Sequence, residues 1–381
     1  MAGIYIHIPF CRKKCFYCDF FSIESLNLFT GYIDALLLEI DIRLKHQNYE
    51  FPEISTVFFG GGTPSLLYTK MLEKIITKLE KSFNIKSDAE WSLEANPETL
   101  NLELLKEYKS LGFNRLSIGI QSFVDTELQF LQRIHNSSKA EDSIKSARKA
   151  GFDNINIDLI FSIPGQTLES LDITLKKTKE LSPEHISAYS LIYEPGTPLY
   201  ESYTRNEIEK TDDDIDAMYY ELIATDLIEN GYEHYEVSNF SKPGKKCFHN
   251  LNYWESGNYL AFGPSAHGFV NRERYWNANS LEIYFKNIQE GKLPLAGSEK
   301  LTKENRVNEK IMLGLRSGGI KFNEFKQEFE IDILDLAKDI FYKWESLKLC
   351  NSDDNCIKLN YQGYSICNEL TMQLIKRIEK K

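Results

Sequence analysis

The chain has no run of about 18 consecutive apolar residues, the length a membrane-spanning helix requires, so no such span is expected. It also lacks positive charge. There are 45 Lys and Arg against 56 Asp and Glu, a formal net charge of −11. Affinity for a phosphate backbone rests on clustered Lys and Arg, so no nucleic-acid partner is expected, and small molecules and proteins remain. From Met1 the chain enters the alternating pattern Gly3-Ile-Tyr-Ile-His-Ile-Pro-Phe10, without the basic region, apolar core and cleavage site of a secretion signal. Cysteine is sparse and odd in number, seven in all, with three inside eight residues. That suits a reducing compartment and metal ligation better than a disulfide framework, and a cytoplasmic location is expected. No internal repeat or low-complexity segment stands out.

What is present is 381 residues, 42% hydrophobic, enough for one large core and a smaller one. Short β-rich segments at 4–10, 56–60, 90–95, 115–120, 155–161 and 185–192 alternate with helical patterns at 26–45, 69–83, 102–111, 139–150 and 168–181. Alternation of this kind predicts an α/β fold with a parallel sheet. Six βα units predict a partial (β/α)6 TIM-type barrel over residues 1–230. Residues 231–295 read as an irregular aromatic segment, and 296–381 as a smaller, mainly helical domain finishing in a hairpin of 348–350 with 357–361.

Cys11, Cys15 and Cys18 form a Cys-x3-Cys-x2-Cys run directly after the first strand. Three thiolates thereby share one loop at a strand's C-terminal end, where barrel folds build their sites. An ordinary four-iron cluster takes four cysteines, so a triplet leaves one iron open to a further ligand. Zinc is the alternative, and would ask for a fourth protein ligand in tetrahedral geometry. Gly60-Gly61-Gly62-Thr63-Pro64 ends the second strand, where glycines let a backbone approach a ligand closely, although tight turns use such runs too. Glu94, Gln121 and Asp158 are polar residues at or near strand ends, and Arg133 follows in Leu-Gln-Arg-Ile-His. Once buried, each needs a partner, either a ligand or a structural neighbour.

The cysteine spacing, with Tyr17 just before the last thiol, resembles the radical SAM superfamily. The resemblance implies a [4Fe–4S] cluster on Cys11, Cys15 and Cys18, with S-adenosyl-L-methionine (SAM) chelating the open iron. An electron from the cluster then breaks a carbon–sulfur bond of SAM to give a 5′-deoxyadenosyl radical. Tyr5-Ile-His-Ile-Pro-Phe-Cys11, the glycine loop, Ser162-Ile-Pro-Gly-Gln-Thr167 and Asn308-Glu-Lys-Ile-Met-Leu-Gly-Leu-Arg316 are similar to one group within it. That group holds the oxygen-independent coproporphyrinogen III dehydrogenases and the heme chaperones of the HemW kind, and the similarity runs from residue 3 to about 370. It implies SAM contacts from Tyr5, Gly61, Gly62, Thr63, Glu94, Gln121, Arg133 and Asp158. It names no catalytic residue.

Two features separate the branches. In the dehydrogenases the triplet continues as Gly-Cys, whereas Asp19-Phe20 follows Cys18 here. His249-Asn-Leu-Asn-Tyr-Trp254 matches a segment associated with heme binding in the chaperones. A histidine beside Tyr253 and Trp254 suits an axial ligand of heme or a loop cross-link, and Cys247 and His267 are near enough to substitute. His7 fits a structural role beside the cysteine loop. Cys350, Cys356 and Cys367 match no zinc spacing and read as structural. The resemblance thus implies a chaperone that binds heme and hands it to an apo-heme acceptor protein, with an electron donor as a further partner. It also allows a homodimer and a transient association with a membrane surface. Oxidative decarboxylation of coproporphyrinogen III, or radical chemistry on another substrate, stays open.

Overall fold

A computed structural model describes residues 1–46 and 53–379. Among them, twelve strands form one sheet. Its centre is six parallel strands in chain order: β1 (Ala2–Ile8), β2 (Ile54–Gly61), β3 (Ile85–Ala95), β4 (Arg115–Gln121), β5 (Ile155–Phe161) and β6 (His185–Ser190). The helices between them include Phe29–His46, Thr69–Ser82, Leu102–Ser110, Ser137–Lys149 and Leu168–Leu181. β1 and β6 do not pair with each other. β6 pairs with β8 (Asn239–Ser241), which pairs with β7 (Glu233–Glu236). β1 pairs in parallel with β9 (Asn258–Phe262), followed antiparallel by β10 (His267–Val270), β11 (Glu273–Asn277) and β12 (Leu295–Lys300). The barrel is partial, as the six βα units predict.

The structure corrects the reading of 231–295 as irregular. This segment builds strands on both edges of the sheet, and its helix Phe248–Trp254 lies on the connection from one edge to the other. Strands of three to six residues are too short to show a period, which is why aromatic density alone was visible. Smaller differences have local causes. β1 stops at Ile8 because Pro9 has no amide hydrogen for the ladder. The helix expected at 26–45 begins with a 3-10 turn, Leu26–Leu28, and is α-helical from Phe29. β3 starts five residues early through the polar stretch Ile85-Lys-Ser-Asp-Ala89, which has little strand signature.

Period-two alternation sorts the barrel strands into two faces. Ile4, Ile6 and Ile8 of β1, Val57 and Phe59 of β2, Leu93 of β3, Leu116 and Ile118 of β4, Ile157 of β5 and Ile186 of β6 are buried in the main apolar cluster. The alternate positions are polar or aromatic: Tyr5 and His7, Thr56 and Phe58, Glu90 and Glu94, Arg115 and Ser117, Asn156 and Asp158, Ser187 and Tyr189. A parallel sheet packed on both faces is ordinarily apolar on both. The barrel's inner face is therefore built for a polar ligand rather than for packing.

Glu39, fully buried on the first long helix, locks the added strands to the barrel. Its carboxylate accepts from Arg43 Nη2 (3.0 Å), Asn277 Nδ2 (2.8 Å), Tyr284 Oη (2.7 Å) and the Gly263 amide (2.8 Å). Removing one member of a buried ionic network costs about 3–5 kcal/mol. Glu39→Ala is expected to lower the unfolding free energy by that amount, read from denaturant midpoints, and a loss below about 1 kcal/mol would contradict the role.

A second apolar cluster joins residues between Val307 and Leu374, including Phe325, Phe341 and Trp344. It includes residues of a three-stranded sheet, β13 (Ile320–Lys321), β14 (Cys350–Ser352) and β15 (Cys356–Leu359), the last two being the expected hairpin. Cys350 and Cys367 are buried in this cluster. None of the described helices is long and apolar enough to cross a membrane.

Candidate functional site

The cysteine loop and the glycine loop meet because the ends of β1 and β2 are in register, His7 beside Gly60 and Ile8 beside Gly61. The Gly62 amide donates to Ile8 O (2.8 Å) and the Thr63 amide to Phe10 O (2.7 Å). A Cβ on Gly62 would stand 2.6 Å from Phe10 O, and Gly61 has φ +110° with room for no more than His7 beside it, so neither position tolerates a side chain. The cysteine loop is pinned behind by Cys11 N donating to Ile23 O and Ile23 N donating to Pro9 O.

A chain of side-chain hydrogen bonds then joins two of the thiols. The Thr63 hydroxyl donates to Cys11 Sγ (3.6 Å), and Asn96 Nδ2 donates to Thr63 Oγ1 (3.0 Å). Arg133 donates to Asn96 Oδ1 (2.6 Å), to Gly119 O (3.0 Å) and to Cys15 Sγ (3.1 Å). Arg133 Nε is buried without a partner. Gln121, the last residue of β4, has φ +68° beside a register shift, a strained backbone of the kind found at ligand sites. Burial pushes the Cys18 thiol up to about 11 and raises Cys11 as well. The described residues hold no His, Cys, Asp and Glu group drawn in around one ion. A four-iron cube puts each thiolate on a separate iron, so it asks the three thiols to stand apart on a shared loop. With a donor cation at Cys15 and close backbone approach at Gly62, this loop fits that group.

Beneath these loops the inner face of the barrel encloses a cavity of about 530 Å3, lined by Tyr5, His7, Gly61, Glu94, Arg115, Asp158, Tyr189, His249 and His267 among others. Glu94 Oε2 accepts the Gly61 amide (3.0 Å), linking the cavity to the glycine loop. Asp158 accepts from Asn156 Nδ2 (2.8 Å) and from the Ser117 hydroxyl (3.2 Å). Arg115 is buried and its Nε has no partner, so a cation stands ready at the cavity wall.

Burial, then the charge of Asp158, pushes Glu94 up from its usual 4.5 to about 8. A carboxyl raised on folding holds its proton more tightly in the native state. Its stabilisation is complete below about pH 4.5 and is lost as pH rises through about 8. Between about pH 5 and 8 the ligand-free chain is expected to lose stability relative to Glu94→Gln, whose amide keeps an acceptor for Gly61. Parallel pH profiles of the two denaturant midpoints would contradict this.

The helix Phe248–Trp254 brings His249 to the cavity. Glu90 of β3 accepts the amides of Phe248 (3.1 Å) and His249 (3.0 Å), a carboxylate at a helix N-terminus. His249 is 1% exposed and both ring nitrogens are engaged, Nδ1 with Thr56 Oγ1 (2.8 Å) and Nε2 with Tyr253 Oη (2.7 Å). It stacks on Phe58 at 5.1 Å, and Gly3 makes room for it, since a Cβ there would lie 3.2 Å from the ring. Burial lowers its imidazole to about 3.

The structure thus gathers Tyr5, Gly61, Glu94, Asp158 and His249 at one cavity. Thr63 and Arg133 lie in the hydrogen-bonded layer at the cysteine loop. Cys247 is buried, its thiol turned to Glu90. His7 Nε2 donates to Phe21 O (2.9 Å) and its Nδ1 accepts from the Tyr5 hydroxyl (3.2 Å) beside the loop. Sequence reasoning missed Asn96, Arg115 and Tyr189. Asn96 stands two residues after Glu94, and Arg115 and Tyr189 occupy inward positions of their strands, so the period-two pattern could have found them.

The comparisons agree with this geometry. The Radical SAM superfamily profile matches residues 5–178, and that of the HemN C-terminal domain matches 301–366. Heme chaperone HemW of Bacillus subtilis is 34% identical over 374 residues, covering 97% of this chain and 98% of that protein. The Haemophilus influenzae protein of the same name is 39% identical over 270 residues, 70% of each chain. Among solved structures, coproporphyrinogen III oxidase (HemN) from Escherichia coli aligns with a TM-score of 0.82 at 23% identity, covering 98% of this chain and 89% of that one. That likeness shows the fold alone. Identity of this level over nearly the full length shows the family: the chain belongs to the radical SAM superfamily, in the family of heme chaperone HemW.

Proposed function

We propose that the chain is a heme carrier, holding SAM on a [4Fe–4S] cluster at the glycine-loop side of the barrel cavity, binding heme at the cavity's open edge and passing it to an apo-heme protein. The observation that carries this reading is the full-length similarity to proteins named heme chaperones, supported by Asp19-Phe20 where the dehydrogenases have Gly-Cys. Cys11, Cys15 and Cys18 hold the cluster, which when bound supplies one-electron chemistry and an open coordination position. Gly61 and Gly62 present backbone to SAM where no side chain could fit, and Tyr5, Thr63, Glu94, Gln121, Arg133 and Asp158 complete its pocket. Arg133 holds positive charge against the thiolates, and the buried Arg115 guanidinium at the cavity wall, its Nε without a hydrogen-bond partner, suits a ligand carboxylate.

The competing reading is the oxidative decarboxylation of coproporphyrinogen III, which the shared fold accommodates without favouring. The test is anaerobic reconstitution with SAM, reductant and coproporphyrinogen III, assayed for protoporphyrinogen and 5′-deoxyadenosine. A carrier gives no sustained product. Turnover matched by 5′-deoxyadenosine would overturn the carrier reading.

A further inference from the structure

We infer that His267, at the cavity's exposed edge, is the side chain that ligates the heme iron, with Trp276 as its positioning residue. The inference rests on the heme-carrier reading. Heme iron takes an imidazole through a nitrogen lone pair, so its ligand must offer an unbonded nitrogen where a flat macrocycle can reach it.

His249 meets neither condition, being almost fully buried with both nitrogens hydrogen-bonded. Ligation through it would break the contact to Tyr253 or to Thr56 and open the stack on Phe58. His267 meets both. Among histidines whose side chains are described, His7, His135, His185, His234 and His249 each make a hydrogen bond, and His267 makes none. Its side chain is exposed at the start of β10 and lines the cavity. Its cross-strand partner Trp276 stacks on it, centroids 6.1 Å apart and planes 20° from parallel, which fixes the ring without occupying a nitrogen.

The same cavity carries apolar faces that nothing in the fold covers. Phe20, just after the last cysteine, is 64% exposed, and Tyr189 at the end of β6 is 41% exposed. Exposed aromatics around a concave site suit the face of a porphyrin. Binding forms one Fe–N bond from the neutral imidazole and releases the water held by free ferric heme, with no electron transferred.

The test is a titration of ferric heme into the anaerobically reconstituted, SAM-loaded chain and into His267→Ala and His267→Gln, followed by absorption and electron paramagnetic resonance. The unaltered chain should give an imidazole-ligated spectrum. Both variants should lose that signature and bind heme more weakly, and free imidazole should restore it in His267→Ala. His267 is exposed and unbonded, so both variants should keep the circular dichroism of the parent. An imidazole-ligated spectrum that persists in both variants, or is lost in His249→Gln alone, would overturn the assignment while leaving the carrier reading standing. Absence of saturable heme binding by the unaltered chain would overturn the carrier reading and this inference with it.

Discussion

Cys15→Ala is expected to abolish cluster assembly: after anaerobic reconstitution, the variant lacks the broad visible absorption of a four-iron cluster and nearly all of its iron and sulfide. The cause is the lack of a substitute. Cys247 is buried with its thiol on Glu90, Cys350 and Cys367 lie in the second apolar cluster, and Cys356 is on β15 of the separate three-stranded sheet. Two thiolates cannot hold three corners of the cube, and SAM occupies only the open one. The backbone of the loop is held by the Cys11 and Ile23 amides, neither of which involves the Cys15 side chain, so the variant should fold. Full iron content in Cys15→Ala would mean that the cluster is ligated elsewhere.

Arg133→Met is expected to weaken SAM binding by about 10–100-fold, the usual cost of removing a group that supports a metal centre from behind. Arg133 joins three separate elements, through Cys15 Sγ, Asn96 Oδ1 and Gly119 O. Loss of the guanidinium frees Asn96 and through it Thr63, whose amide and hydroxyl tie the glycine loop to Phe10 and Cys11. Arg133→Lys should recover little, because a point charge cannot reproduce a fork that reaches three acceptors. Equilibrium binding of SAM to the reconstituted variants measures the effect. Unchanged affinity in Arg133→Met would show that this layer does not shape the SAM pocket.

The barrel and the cysteine loop were legible in the sequence for physical reasons. Six strands buried on their outer face put an apolar residue at every second position, and three thiols within eight residues have few uses. The residues around them were half legible. Glu94, Gln121 and Asp158 stood out as polar residues in apolar strands; Glu94 and Asp158 proved to be part of a whole inward face that includes Arg115, Asn156 and Tyr189, while Gln121 ends β4 in a left-handed conformation. Reading each strand singly hid the pattern common to all six. The segment after 231 was illegible because its strands are short and two of them take barrel partners from far along the chain, β8 from β6 and β9 from β1, the latter more than 200 positions away. Burial was also invisible: His249 sits in a recognisable motif, yet only the fold shows both its nitrogens occupied while His267 is free.

The central claim, that this radical SAM chain carries heme, is tested most directly by titrating heme into the anaerobically reconstituted protein and then adding an apo-heme protein. The account predicts saturable binding of one heme per chain, followed by loss of that absorption as the acceptor's own heme spectrum appears. No saturable binding, or heme bound but never passed on, would contradict it.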